Sequence, residues 1–254
     1  MAQSFRLAEI IEIVRREGKV TVDGLAEHFD VTLQTIRRDL TDLADSGKLD
    51  RVHGGAVLPS GTANIGYEQR RSINHRGKVD IARGCAAELP EDCSIFLNIG
   101  TTTEAVAAEL LSHRDILVVT NNMNVANILA ENDNCQVIVT GGALRLSDGG
   151  LVGGLTIDTI RQFKFDYAVI GCSALDEDGD ILDFDIQEVG VSQTIIRQSR
   201  HVILVADHTK FLRKAPARIG SLADVSCLVT DRPITPSLRA ACENWGTRVL
   251  VCGR

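Results

Sequence analysis

Val31-Thr32-Leu33-Gln34-Thr35-Ile36-Arg37-Arg38-Asp39-Leu40-Thr41-Asp42-Leu43 is the stretch on which the reading of this chain turns. Leu33, Ile36, Leu40 and Leu43 recur at helical spacing and predict one buried side of a helix. Thr32 is placed to cap its first turn, and Ser46-Gly47 to stop it. Gln34, Thr35, Arg37, Arg38 and Thr41 are left to project outward. Upstream, Thr21 caps a second helix in which Val22, Leu25, Ala26 and Phe29 repeat the spacing, and Asp30-Val31 supplies a tight turn. Before that, Leu7, Ile10, Ile11 and Val14 predict a helix over Phe5 to Glu17, ended by Gly18. Three short helices with turns this close predict a helix-turn-helix. Downstream, Lys48 to Leu58 reads as two strands around Gly54-Gly55, a hairpin in the position of a wing.

The outward side of the third helix carries amide, hydroxyl and guanidinium groups, which can donate to base edges and phosphates in a major groove. A solvated face in some other three-helix unit accounts for the same pattern, and the wing favours the DNA reading. Arg51 and His53 on the hairpin stand where a cation reaches a phosphate or the adjacent minor groove. The candidate DNA-contacting set is therefore Thr32, Gln34, Thr35, Arg37, Arg38, Thr41, Arg51 and His53. Bulk charge gives no support. The net charge is -7, and residues 1 to 58 hold eight Lys or Arg against ten Asp or Glu. A unit with so few cations grips a duplex weakly, so two or more copies per site are expected, which predicts self-association.

Pro59 to Asn64 is a run of turn formers, which sets the expected organisation: residues 1–58 as a winged helix-turn-helix, 59–74 as a linker and 75–254 as a larger domain. One charged helix is expected over Tyr67 to Leu89. Beyond it, apolar runs alternate with helical ones. The runs are Ser94 to Ile99, Ile116 to Thr120, Gln136 to Thr140, Tyr167 to Gly171, His201 to Ala206, Cys227 to Thr230 and Arg248 to Cys252. The helices are Thr103 to Leu111, Val125 to Glu131, Val189 to Ser199 and Pro236 to Trp245. This alternation predicts an α/β fold with a mostly parallel sheet covered on both faces.

Asn98-Ile99-Gly100-Thr101-Thr102-Thr103 follows one of these strands and opens a helix. Free amides at a helix start, a glycine and several hydroxyls form a seat for a phosphate or carboxylate, although threonine-capped turns look the same. Thr120-Asn121-Asn122, Thr140-Gly141-Gly142 and Asp207-His208-Thr209-Lys210 end strands at the same edge, where open parallel sheets bind ligands. Lys210 would supply the cation. Asp183 and Glu188, in an acidic loop before a helix, could hold the hydroxyls of a polyol or simply be solvated. The candidate ligand set is Asn98, Gly100, Thr101, Thr102, Thr103, Thr120, Asn121, Asn122, Gly141, Gly142, Asp183, Glu188 and Lys210.

Other chemistry is not expected. Asp176 to Asp180 departs from a calcium loop in its glycine and has Gln187 where the bidentate Glu should stand, and His201 and His208 lack ligand spacing, so no metal or cofactor is expected. Gly149 to Gly154 is read as lacking the strand-before, helix-after setting of a dinucleotide turn. The seven cysteines are odd in number with no C-x-x-C pair, and read as small buried hydrophobes. No apolar run is long enough for a bilayer and the N-terminus has no leader pattern, so a cytoplasmic protein without a membrane partner is expected.

Val31 to Leu40, followed by Arg51-Val52-His53-Gly54-Gly55-Ala56, resembles the signature of the DeoR-type bacterial repressors. The resemblance continues through Ile99-Gly100-Thr101-Thr102, Thr120-Asn121-Asn122, Gly141-Gly142, Phe184-Asp185 and Asp207-His208-Thr209-Lys210, essentially the whole chain. It implies a sensor domain similar in fold to ribose-5-phosphate isomerase, and an oligomeric repressor that leaves operator DNA when a small phosphorylated metabolite binds. Asn121 to Asn127, Asp148-Gly149-Gly150 and Ser199 to Val202 are most similar to members governing glycerol metabolism, which implies sn-glycerol 3-phosphate as effector. Fructose 1-phosphate or another sugar phosphate stays open as an alternative. So does a sugar-phosphate isomerase or deaminase with a DNA-binding appendage, its base drawn from Asp183, Asp185 or Glu188. Many relatives have Asp where this chain has Asn98.

Overall fold

Thr21 and Thr32 each turn a hydroxyl back onto the amide three residues on, Gly24 at 3.0 Å and Thr35 at 3.2 Å, and these two caps set the first unit of the chain. The computed structural model describes residues 2–46, 48–52, 54–57 and 66–253. These fall into two units, Met1–His75 and Arg76–Arg254. In chain order the first holds α1 (Ala2–Glu17), β1 (Lys19–Thr21), α2 (Val22–Phe29), α3 (Leu33–Asp45), β2 (Asp50–Val52), β3 (Gly55–Val57) and α4 (Tyr67–Ser72). Between α2 and α3 the chain reverses at Asp30, whose φ of 50° lies in the left-handed region. The strands form one antiparallel sheet in the order β1-β3-β2.

The buried side of α3 differs from the expected one. Ile36, Leu40 and Leu43 are buried, but Leu33 is 40% exposed and its place in the stripe is taken by Asp39 at 1%. Residues 36, 39, 40 and 43 are one face of a helix, so the fourth inward position is a carboxylate. It is tolerated because Arg6 of α1 meets it with two hydrogen bonds, Nε to Oδ2 at 2.5 Å and Nη2 to Oδ1 at 3.3 Å. Leu33→Ala is therefore expected to change stability by under about 0.5 kcal/mol, whereas Ile36→Ala costs about 3 kcal/mol. Urea denaturation of the two variants separates these outcomes.

β1 is an addition to the expected hairpin. Its Lys19, Val20 and Thr21 pair with Val57, Ala56 and Gly55, which widens the wing to three strands. The single helix expected over Tyr67 to Leu89 is two, α4 and α5 (His75–Ala87), because Asn74 adopts a φ of 47°. The linker expected over 59–74 thus contains α4, which lies against α1, while 58–65 fall outside the described residues.

The second unit continues with β4 (Ser94–Leu97), α6 (Thr101–Glu109), β5 (Ile116–Thr120), α7 (Met123–Leu129), β6 (Cys135–Val139), β7 (Ala143–Arg145), β8 (Gly150–Val152), α8 (Gly154–Ile160) and β9 (Phe165–Ile170). After these come β10 (Ala174–Leu175), β11 (Asp180–Asp183), α9 (Ile186–Gln198), β12 (Ser199–Val205), β13 (Ala217–Ser221), β14 (Cys227–Thr230), α10 (Pro236–Trp245) and β15 (Arg248–Val251). The seven strands expected from apolar runs form one parallel sheet in the order β15-β14-β12-β9-β4-β5-β6. Alternate residues serve opposite faces. Phe96 packs with Phe165 and residues of α8, α9 and α10, while Ile95 and Leu97 pack with those of α5, α6 and α7.

Strand order reverses at β4: the chain runs outward to β5 and β6, then returns to β9 on its other side. In open parallel sheets the crevice that takes a ligand lies where the connections leave in opposite directions, which here is at the carboxyl ends of β4 and β9. β7 and β8 pair as a hairpin, and β10, β11 and β13 form a small antiparallel sheet. The hairpin lay outside the sequence expectation, and of the small sheet only the Asp176 to Asp180 turn between strands was expected. α8 was not expected either: Gly149 to Gly154 does contain a strand and does lead into a helix, but that strand belongs to the hairpin and not to the parallel sheet. Among the described residues all seven cysteines are free, and no helix is long and apolar enough to cross a membrane.

Candidate DNA-reading face and effector site

In the first unit, Gln34, Arg37, Arg38 and Thr41 stand at i, i+3, i+4 and i+7 of α3, and all four are exposed. Gln34, Arg37 and Arg38 form the outward stripe opposite the core. Thr41 does not present its hydroxyl, which donates to the Arg37 carbonyl at 2.8 Å. Thr32 and Thr35 share a hydrogen bond of 2.9 Å at the first turn, so their part is to fix that end of the helix. Arg51 of the wing donates through Nη1 to the same Arg37 carbonyl at 3.1 Å, tying β2 to α3. His53 lies outside the described residues.

In the second unit, Asn98 to Thr103 sits at the carboxyl end of β4, against the crevice. Gly100, at φ 151°, is the N-cap of α6 and makes no side-chain cap bond. Gly100 itself thus offers the first turn no side-chain acceptor, where Thr32 gives one to α3 and Asn122 one to α7. Neighbouring groups enclose this corner: the carbonyl of Ile99 lies 3.9 Å from where a Cβ on Gly171 would stand, and the Ile99 side chain lies 2.5 Å from one on Gly150.

Several predicted ligand groups are instead spent on holding the corner in shape. Asn98 is 1% exposed; its amide donates to Ser192 of α9 at 2.9 Å and its oxygen accepts from the Ile99 amide at 2.7 Å. A side chain with both ends engaged orients the loop, a role the sequence reading did not give it. Thr103 donates to the carbonyls of Asn98 and Gly100, each at 2.7 Å. Thr120 donates to the Leu97 carbonyl and accepts from the Asn122 amide. Asn122 accepts from the Asn124 amide and donates to Glu104. Asp183 accepts from Ser173 and from the amides of Phe184 and Asp185. Glu188 is paired with Arg145 at 2.7 Å.

Other members keep a place at the edge. Thr101 is half-buried and Thr102 buried on the first turn of α6. Asn121 donates to the Leu151 carbonyl at 3.1 Å, while its Oδ1 and the Thr140 hydroxyl have no hydrogen-bond partner although both are buried. Gly141 accepts from Thr156, and Gly142 at φ 138° runs so close to Thr156 and the Val152 carbonyl that a side chain has no room. Lys210 is half-buried on the turn after β12. Burial pushes the Cys172 thiol, just beyond β9, up to about 12, with Lys210 and Arg213 pulling it down and Asp183 and Asp207 pushing it up.

Two cations were not expected. Arg213 is buried and stands over the Phe184 ring at 5.6 Å. Arg145, from β7, meets three carboxylates: Asp148 at 2.8 Å, Asp185 at 2.6 Å and Glu188 at 2.7 Å. Burial works against its charge, but the hydrogen bonds and charges of Asp148 and Glu188 outweigh that and raise its pKa. No sequence signal marks either residue, since of their partners only Asp148 is near in the chain, and Asp185, Glu188 and Phe184 are brought up by folding.

A family model described as the DeoR-like helix-turn-helix domain matches residues 6–62, and one described as the DeoR C terminal sensor domain matches residues 73–232. The chain belongs to the DeoR family. Among its relatives, the glycerol-3-phosphate regulon repressor of Escherichia coli (strain K12) is 45% identical over 252 residues, 99% of this chain and 100% of that protein. Its counterpart in Haemophilus influenzae is 44% identical over 230 residues, covering 91% and 90% of the two chains. Of solved structures, a D-ribose-5-phosphate isomerase in complex with phospho-erythronic acid is similar over 54% of each chain, with 17% identity and a TM-score of 0.41.

Proposed function

We propose that this chain is a transcriptional repressor that holds operator DNA through α3 and its wing, and that it lets go when the Asn98 to Thr103 corner captures a small phosphate monoester. sn-Glycerol 3-phosphate is the favoured effector. What carries the reading is that identity to the Escherichia coli glycerol-3-phosphate regulon repressor runs through both units, with 99% of the chain covered. The α3 stripe supplies donors for a major groove, and the α6 amides with Lys210 supply donors and a cation for an anion. Two or more copies of the chain would occupy one operator, since each head offers few cations.

The switch is linkage. An effector that binds the DNA-incompetent state more tightly weakens operator affinity by the factor through which DNA weakens effector affinity. The proposed role is not catalytic. Asp183 accepts at both oxygens, Asp185 caps α9 and pairs with Arg145, and Glu188 is ion-paired, so none of the three is poised to take a proton.

The test is a gel-shift titration of operator with and without sn-glycerol 3-phosphate, beside a thermal-shift panel of phosphorylated polyols and sugars. Lys210→Ala is expected to bind operator as the wild type does and to need at least about tenfold more effector for release. Full inducibility of that variant would remove Lys210 from the site, and a panel in which fructose 1-phosphate alone stabilises the chain would replace the effector.

A further inference from the structure

The geometry points to Arg145 as the positioning residue that makes the Asn98 to Thr103 corner habitable for an anion, by clamping the β7–β8 hairpin to α9 and cancelling carboxylate charge beside it. This rests on the effector reading above.

Arg145 spends all three guanidinium nitrogens on three carboxylates, one from the hairpin turn and two from the start of α9. Nε and Nη2 take the two oxygens of Asp148 at 2.8 Å each, Nη1 takes Asp185 at 2.6 Å, and Nη2 also takes Glu188 at 2.7 Å. Asp148 is in the hairpin turn, Asp185 caps α9, and Glu188 is in the first turn of α9. A clamp of this kind fixes planar geometry as well as charge.

The clamp is next to the corner on both sides. Glu188 and Ser192 are four residues apart and share a face of α9, about 6 Å along the axis. Ser192 is the residue that receives the Asn98 amide at 2.9 Å. On the other side, Gly150 of the hairpin rests on the Ile99 side chain. The hairpin is also sewn to the β5 loop, by the Leu151 amide to the Asn121 carbonyl at 2.7 Å and the Met123 amide to the Gly149 carbonyl at 2.9 Å. Arg145 is thus the ionic tie from this hairpin, rooted on the β5 side, to α9, rooted on the β9 side, with the corner between.

Without Arg145, the carboxylates of Asp148, Asp185 and Glu188 would lose the guanidinium charge that offsets them beside the corner. Arg145→Met in the full chain is expected to weaken sn-glycerol 3-phosphate at least about tenfold by calorimetry, to steepen its salt dependence and to speed amide exchange in residues 143–152. Arg145→Lys returns charge without the fork and should recover part of the affinity. Adding Asp148→Asn to Arg145→Met removes one of the carboxylate charges that Arg145 offsets and should recover affinity while the hairpin still exchanges fast. A purely structural tie would show no such recovery. Wild-type affinity in Arg145→Met, or no recovery in the double variant, overturns this inference while leaving the effector reading in place. A wild-type chain that binds no phosphate ester sinks the reading itself.

Discussion

Replacing Arg37 and Arg38 together by alanine is expected to lower operator affinity a hundredfold or more while leaving the fold and effector binding unchanged. Both side chains are exposed on the outward stripe of α3, and neither is engaged in the core. A good base contact by an Arg contributes about 1–3 kcal/mol, and each phosphate neutralised adds a salt-dependent share. Two such contacts are lost from each docked head, so about 3 kcal/mol is expected for the double replacement. Fluorescence anisotropy at several salt concentrations checks it. The variant should show both a weaker constant and a shallower slope of log affinity against log salt. An unchanged slope would place the phosphate-contacting cations elsewhere, and unchanged affinity would remove α3 as the reading helix.

Arg6→Met is expected to destabilise the first unit by about 3 kcal/mol. The substitution keeps the apolar stem but takes the guanidinium away from Asp39, a carboxylate at 1% exposure beside Ile36, Leu40 and Leu43 on α3. Breaking one partner of a buried pair costs far more than the pair contributes, because the remaining charge stays desolvated. Chemical denaturation followed by helicity should show the first unit unfolding at lower denaturant, with the transition of the second unit unmoved. Removing both charges, as Arg6→Met with Asp39→Leu, should restore most of the loss. If the single variant unfolds with the wild type, the pair contributes nothing and the orientation of α3 is set by its apolar residues alone.

The pair also shows where the sequence was readable and where it was not. The seven strands of the main sheet stood out because a strand covered on both faces is a continuous apolar run, as in Ile116 to Val119 or Ile203 to Val205. Thr21 and Thr32 were legible as caps because capping is local chemistry. Leu33 and Asp39 were exchanged because hydrophobicity decides a helical pattern, and the partner that makes Asp39 an inward residue lies 33 positions away. β1, β7 and β8 are three residues each, too short for any period. At the edge of the sheet, the residue types were informative and their roles were not. Asn98, Thr103 and Asp183 are polar groups at strand ends, but whether such a group faces inward to the chain or outward to a ligand depends on Ser192, Ser173 and backbone carbonyls that only folding brings near. Arg145 escaped notice for the same reason, with partners 40 and 43 residues on.

The Arg37 carbonyl, which receives both Arg51 from the wing and Thr41 from the next turn of its own helix, has a thermodynamic consequence. Reading helix and hairpin are already joined before any duplex arrives, so little chain ordering is left to accompany docking. Association should then show the modest negative heat-capacity change of two preformed surfaces meeting, and not the large one that marks folding coupled to binding.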